Sequence, residues 1–360
     1  MKMNTIILFV LMVLIVMGAF SSCAKTPDST ASTTSSSTTT SKMTTTATSS
    51  SSATSTTQKV TTATAASTTK SATDGNYILD TSFSDGVTVF SPIKPPTTYS
   101  GKLTFGKNVD GKSPVWILTQ WNSLYNIIKT PGKRVGNTYQ YANKNKTFAL
   151  SDDGMVTLII NASQDYLQPR KTAQDPWAHL YLEQRYSQPR SLGKFKKVNV
   201  TYNFVIPFCK NYTPAADYNS NIHASIGVFY LILGDINPSS PGYGDFINFC
   251  MPLFDDRVDI PKKSWFMDSG TDPNAVTNKM IYTMDGSVLY SSPTGNGKWH
   301  SVNLDIMPYI KDAFNIARNN NCMQKTNFSD VGLSSFFFGF ENPGMFDTEL
   351  QIKNMSITTK

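Results

Sequence analysis

The ten residues WAHLYLEQRY, at positions 177–186, carry the side chains best suited to chemistry in this chain. If the segment is a β-strand, alternate side chains point to opposite faces. One face then carries Ala178, Leu180 and Leu182, which are typical of a core. The other carries Trp177, His179, Tyr181, Glu183 and Arg185. We predict that this second face lines a site, although a cross-strand ladder that only stabilises an exposed sheet has the same pattern.

Two further segments alternate in a similar way. In 222–231 one set of alternate residues, which includes Ile226 and Val228, is apolar, and His223 belongs to the other set. In 246–254 one set of alternate residues is apolar, and Asn248 belongs to the other set. We expect the polar sets of alternate residues from all three segments to lie together on one concave face. Segment 198–206, in contrast, alternates apolar residues with Asn and Thr, as an ordinary solvent-exposed strand does.

Three kinds of chemistry fit such a face. Glycoside hydrolysis needs two carboxylates flanking the scissile bond, with Glu183 as one candidate and Glu341, Asp255 or Asp256 as the other. Elimination from a uronic acid needs a group that neutralises the carboxylate, a base and an acid. Arg185, Gln184 or Asn248 suit the first role, His223 or His179 the second, and Tyr181 the third. A binding module needs only aromatic platforms and hydrogen-bonding groups.

From these alternatives we predict a set of site residues. The candidate catalytic residues are His179, Tyr181, Glu183, Arg185 and His223. The candidate substrate-binding residues are Trp177, Gln184, Asn248 and Trp121.

The sequence favours no metal or other cofactor. No CxxC or His-rich spacing is present, and DDRVD at 255–259 fits either a calcium ligand set or the cap of a strand, without favouring the metal. Apart from Cys23, the cysteines number three, so at most one disulfide can form among them. A pair between Cys209 and Cys250 is conceivable.

The first 75 residues predict export and anchoring. Residues 1–22 have one Lys, a short apolar run and small residues, which is the layout of a secretory signal. FSSC at 20–23 resembles a bacterial lipobox, which implies a lipid on Cys23; cleavage as an ordinary signal peptide is the alternative. Residues 23–75 are dominated by Ser, Thr and Ala and predict a disordered linker. We therefore expect an extracytoplasmic protein attached to the membrane through Cys23.

Residues 76–360 predict one folded domain. Short strands rich in Val, Ile, Tyr and Phe are separated by turn clusters, and one segment, 308–319, has apolar residues at helical spacing behind Pro308. Many strands without βα alternation indicate an all-β fold, an antiparallel β-sandwich with one short helix.

The sequence of this domain resembles the concanavalin A-like lectin and glucanase jelly rolls. The resemblance rests on GKWHSVNLDI at 297–306 and on the closing GFENPGMFDTELQIKNMSI at 339–357. YLEQR at 181–185 and NIH at 221–223 are partial echoes of alginate-lyase-like members. The resemblance implies a jelly roll that binds or cleaves polysaccharide.

Together these features predict a lipid-anchored protein that engages a cell-surface or environmental glycan as a monomer, by binding or by degradation. The alternative is a structural envelope lipoprotein without catalytic activity. A net charge of +7 without a run of five like charges gives no reason to expect a nucleic-acid partner.

Overall fold

The computed structural model describes residues 75–92, 98–268 and 277–360. The predicted signal peptide, Cys23 and all but the last residue of the linker lie outside this part of the chain. The described residues form seventeen strands: β1 (Val87–Phe90), β2 (Tyr99–Leu103), β3 (Trp116–Thr119), β4 (Lys133–Val135), β5 (Thr138–Ala142), β6 (Lys146–Ser151), β7 (Val156–Asn161), β8 (Ala178–Ser191), β9 (Val198–Val205), β10 (Cys209–Asn211), β11 (Ile226–Asp235), β12 (Phe246–Asp255), β13 (Ser264–Met267), β14 (Met280–Thr283), β15 (His300–Asp305), β16 (Val331–Asn342) and β17 (Phe346–Thr359).

These strands form two large, mainly antiparallel sheets. The nine-stranded sheet has the order β13-β14-β12-β11-β16-β8-β3-β1-β2, and the eight-stranded sheet has the order β15-β9-β17-β7-β6-β5-β4, with β10 paired to β17. Only β1 with β3 and β12 with β14 pair in parallel among the described strands. The predicted antiparallel β-sandwich is confirmed.

The main core lies between the two sheets. Tyr202 of the eight-stranded sheet stacks on Phe229 of the nine-stranded sheet, with ring centroids 5.2 Å apart. Along β9, Val198, Val200 and Tyr202 are fully buried while the intervening side chains are half-buried, which is the alternation expected of a strand with one face on the core.

Among the described residues one α-helix, α1 (Met307–Asn319), follows β15 and precedes β16. It places Pro308 in its first turn, where the missing N–H costs nothing, and buries Ile310, Ala313 and Ala317. The helix predicted for 308–319 is therefore confirmed. No helix among the described residues is long and apolar enough to cross a membrane.

Candidate functional site

Strand β8 separates the side chains of WAHLYLEQRY onto two faces, as predicted. Leu180 and Leu182 belong to the main core between the sheets. Tyr181 belongs to a second buried cluster on the opposite side of the nine-stranded sheet, which we call the outer face. The residues of this cluster are Trp121, Tyr181, Ala224, Ile226, Val228, Tyr230, Ile232, Phe246, Cys250, Ile281 and Phe337.

A row of aromatic rings crosses the outer face beside β8. Trp177 stacks on His179, with centroids 5.6 Å apart and an interplanar angle of 24°. His179 lies 5.5 Å from Tyr181, and Trp121 lies 5.7 Å from His179 and 6.0 Å from Tyr181. Tyr181 in turn contacts Phe337 of β16 at 4.9 Å. The predicted residues Trp121, Trp177, His179 and Tyr181 are thus brought together.

The outer face carries a group of buried polar atoms. Several buried donors and acceptors there have no hydrogen-bond partner among the described residues. A buried polar atom without a partner costs about 1 to 3 kcal/mol, and native cores contain few of them. The atoms on this face are Thr119 Oγ1, Trp121 Nε1, Trp177 Nε1, Tyr181 Oη, Asn248 Nδ2, Asp268 Oδ1, Ser335 Oγ and Glu341 Oε1.

Two carboxyl groups on this face have raised pKa values. Glu341 of β16 is opposite His179 in the sheet register and is 3% exposed. Burial raises the pKa of Glu341 to about 7, while nearby Tyr181 hydroxyl and Trp177 indole donors act in the opposite direction and the Asp268 carboxylate raises it further. Asp268 follows β13, accepts hydrogen bonds from the Thr277 backbone N–H and hydroxyl, and has its pKa raised to about 6 by burial.

Glu183 and Arg185 form an ion pair at the other end of the same row. Arg185 Nε and Nη2 donate to the two carboxylate oxygens of Glu183 at 2.6 and 2.8 Å, and the guanidinium lies over the Phe90 ring. Glu183 is opposite Phe337, four residues along β16 from Glu341. At about 3.3 Å per residue the backbone positions of the two glutamates are about 13 Å apart along the strand, more than the roughly 5 to 9.5 Å between the carboxyls of most retaining and inverting glycosidases.

His223 does not lie on the outer face with His179, so the predicted grouping is wrong. It precedes β11 in a loop, where Nδ1 accepts from the Asn219 N–H at 3.0 Å and Nε2 lies 2.9 Å from the Arg170 carbonyl. The prediction of which residues in 222–231 face the main core is also wrong. Ile226 and Val228 lie on the outer face, and Phe229 lies in the main core.

Gln184 also points away from the outer face. Its side chain accepts from the Leu79 N–H at 3.0 Å and donates to the Leu79 carbonyl at 2.6 Å. The amide therefore fixes the N-terminal segment of the domain to β8, and the prediction that Gln184 binds substrate beside Tyr181 is not supported by its position. Asn248, in contrast, lies on the outer face, opposite Ile232 and Ile281.

The acidic segment 255–259 is held by internal contacts. Arg257 donates to both oxygens of Asp255, and Asp256 accepts from the Ser225 N–H at 2.6 Å. Within residues 75–92, 98–268 and 277–360, no group of three or more His, Cys, Asp or Glu side chains is placed to hold a metal ion. The cysteines Cys209, Cys250 and Cys322 are free, so the conceivable Cys209–Cys250 disulfide does not form.

The sequence reasoning did not select several residues of this face. The sequence predicts Glu341 only as a possible second carboxylate, although Phe336, Phe338 and Phe340 face the core from β16 and so place Glu341 on the other side. Asp268 cannot be recognised from the sequence, because the strand before it has only four residues and shows no clear alternation. Tyr230 and Cys250 lie within apolar runs, so the sequence pattern does not show which face they occupy.

No family model matches the chain, and no curated protein matches it. Solved structures that resemble it include a native family 12 xyloglucanase from Bacillus licheniformis, at 14% identity and a TM-score of 0.36, covering 64% of this chain and 97% of that chain. The endoglucanase Cel12A from Rhodothermus marinus has 13% identity and a TM-score of 0.35, with 64% and 96% covered. A family 11 xylanase from Neocallimastix patriciarum has 8% identity and a TM-score of 0.34, with 62% and 96% covered.

Proposed function

We propose that this protein binds a neutral polysaccharide across the outer face of its nine-stranded sheet. The observation that supports this function is the set of buried polar atoms without partners, interleaved with the rings of Trp121, Trp177 and Tyr181. A sugar presents hydroxyl groups that both donate and accept, and apolar ring faces that stack on aromatic side chains. Because these rings and atoms are buried, a glycan reaches them only when the segments that cover the face move. It then satisfies both features of the face, whereas a purely apolar partner satisfies only one.

The charges on the face favour a neutral glycan over a uronic acid. Three arginines near the face are already engaged: Arg185 pairs with Glu183, Arg257 pairs with Asp255, and Arg170 donates to four backbone carbonyls. The carboxyls of Glu341 and Asp268 remain, and both repel a ligand carboxylate when they are ionised. The mild net positive charge of the whole chain therefore does not decide the ligand at this face.

Hydrolysis of the bound glycan is a second candidate function, and Glu341 favours it. A buried carboxyl with a pKa of about 7 retains its proton near neutral pH and can donate it to a leaving glycosidic oxygen. Asp268 is the second carboxyl that interacts with it electrostatically. Elimination from a uronic acid is less well supported, because Arg185 is paired and His223 lies in a loop away from the row of rings.

Glycan binding is tested with the purified domain and tryptophan variants. We expect wild-type protein to bind a neutral β-linked oligosaccharide, such as cellohexaose or xylohexaose, more tightly than an alginate or polygalacturonate oligosaccharide in isothermal titration calorimetry. Trp121→Ala should weaken binding about tenfold or more, because it removes a ring and a donor from the face. That loss corresponds to about 1.4 kcal/mol.

Trp299→Ala is the matched control, since Trp299 is 45% exposed and lies beside β15 of the other sheet. It should leave the affinity unchanged. Release of reducing ends during the titration would identify a hydrolase, and binding without release would identify a binding module. Absence of binding to every glycan would contradict the proposal and favour the structural alternative.

We also propose that the domain works outside the cytoplasm, held at the membrane by a lipid on Cys23. In bacterial cells that express the full chain, radiolabelled palmitate should be incorporated into the protein and lost in Cys23→Ser. The variant should then leave the membrane fraction. Incorporation that survives Cys23→Ser would contradict this assignment.

A further inference from the structure

Arg170 lies at the end of the row of rings and makes hydrogen bonds to three separate segments. Nε donates to the Asp175 carbonyl at 2.9 Å and Nη2 to the Ala173 carbonyl at 3.0 Å. Nη1 donates to the carbonyls of Ile222 and Pro343. The residue is only 5% exposed, so its position is fixed by these contacts. A guanidinium presents donors in a rigid plane, which a lysine ammonium cannot reproduce.

Each of the three segments adjoins the candidate site. The 173–175 turn leads into Trp177, Ile222 precedes His223, and Pro343 follows the Glu341-Asn342 end of β16. The guanidinium carbon also lies 4.8 Å from the centroid of the Trp177 ring. Arg170 therefore holds both the indole of Trp177 and the strand end that carries Glu341.

Trp177 and Glu341 both line a small cavity. It has a volume of about 20 Å³ and is lined by Arg170, Trp177, Arg257, Glu341 and Pro343, among others. This is enough for about one water molecule. Trp177 Nε1 and Glu341 Oε1 both belong to lining residues and form no hydrogen bond of ordinary geometry among the described residues, although the indole lies near enough to lower the pKa of the carboxyl. One is a donor and the other an acceptor, so a single water satisfies both.

We propose that Arg170 is a positioning residue for the proposed site, which holds the Trp177 indole and the Glu341 carboxyl in the wall of a cavity that fits one water molecule. The inference rests on the proposed function for its role, but its geometry can be tested without any glycan. The titratable or charged groups around Glu341 are His179 and Tyr181 of β8, Tyr230 of β11, Cys250 of β12, Asp268 after β13, Arg170 and Arg257.

The test is the titration of Glu341 by carbon-13 NMR. The chain contains only three glutamates, Glu183, Glu341 and Glu349, so carboxyl labelling of glutamate gives three signals, and Glu341→Gln assigns the one of interest. In Arg170→Lys the indole N–H should move away from the carboxyl, which removes a group that lowers the pKa of Glu341. We expect the Glu341 midpoint to rise by about one pH unit and glycan affinity to fall about tenfold.

Two variants make the result decisive. Trp177→Phe removes the indole N–H directly and should raise the Glu341 midpoint as Arg170→Lys does. Arg190→Lys is the control, because Arg190 lies over the Tyr186 ring on β8, 5.6 Å from its centroid, and it should leave the midpoint unchanged. A lower melting temperature in Arg170→Lys with an unchanged Glu341 midpoint would mean a purely structural role and would overturn the proposal. A raised midpoint without glycan binding by wild-type protein would sustain the positioning role and contradict the proposed function.

Discussion

At pH 8 the Glu341→Gln variant is expected to unfold at a higher urea concentration than wild-type protein. Burial raises the pKa of Glu341 from 4.5 to about 7, so the folded state favours the neutral carboxyl. In the unfolded chain the carboxyl ionises freely once the pH exceeds 4.5. Ionisation therefore opposes folding as the pH rises from 4.5 through 7, and the penalty is complete above that range.

The size of this effect follows from the shift. A difference of about 2.5 pH units corresponds to about 3 kcal/mol, and Gln, which is neutral at every pH, avoids the penalty. We expect the gain in the free energy of unfolding to approach this figure at pH 8 and to vanish near pH 4. If the protein is a hydrolase, the same substitution should lower the rate of reducing-end release by a factor of about 10² to 10⁴, because the proton donor is lost.

Glu349→Gln provides the control for both measurements. Glu349 lies on β17 of the other sheet, is half-buried and accepts a hydrogen bond from the Gln351 side chain. It should not reproduce the pH-dependent stabilisation. Equal stability of Glu341→Gln and wild-type protein from pH 4 to pH 8 would mean that Glu341 ionises in a solvated environment, which would remove it as a proton donor near neutral pH.

The sequence predicted the faces of β8 but not those of β11, and the difference has a physical cause. In β8 one parity is aliphatic and the other combines Trp, His, Tyr and Glu, so the alternation is visible. In β11 every residue from Ile226 to Asp235 is buried, because this strand lies between the main core and the outer-face cluster. A strand that is buried on both faces carries no polar alternation. The sequence pattern therefore predicts the wrong face for Ile226 and Val228.

The errors at His223 and Gln184 arose from tertiary contacts that a strand pattern does not contain. His223 belongs to a loop, and its ring nitrogens are used by Asn219 and Arg170. Gln184 is an amide on the core-facing side of β8, which is compatible with burial only because Leu79 offers both a donor and an acceptor. Leu79 and Arg170 are far away in sequence, and the contact with Asn219, four residues before His223, depends on the fold of the loop, so none of these contacts follows from a strand pattern.

Lys146→Met is expected to lower the free energy of unfolding by about 3 to 5 kcal/mol. Lys146 of β6 is fully buried, and its ammonium donates to Ser123 Oγ, the Tyr125 carbonyl and Asn145 Oδ1. Burial lowers the pKa of Lys146 to about 8, with the Asp165 carboxylate acting against that shift, so the side chain is mainly a cation at pH 7. Lys146 and Asp165 interact electrostatically without a direct ion pair, so removing the ammonium leaves the buried carboxylate without its compensating charge, and an uncompensated buried charge is strongly destabilising.

Lys144→Met is the matched control, because Lys144 is exposed at the surface over the Tyr125 ring and an exposed cation contributes little. Asp165→Asn combined with Lys146→Met should recover part of the lost stability, since the remaining carboxylate is then neutral. Urea unfolding at pH 7 measures all three variants. Ser123 follows Trp121 by two residues, so loss of the Lys146 contacts should also loosen the segment that carries Trp121. The Lys146→Met protein should therefore bind glycan more weakly even at temperatures where it remains folded. Equal unfolding midpoints for Lys146→Met and Lys144→Met would show that the contacts of Lys146 with Ser123, Tyr125 and Asn145 do not hold this segment in place.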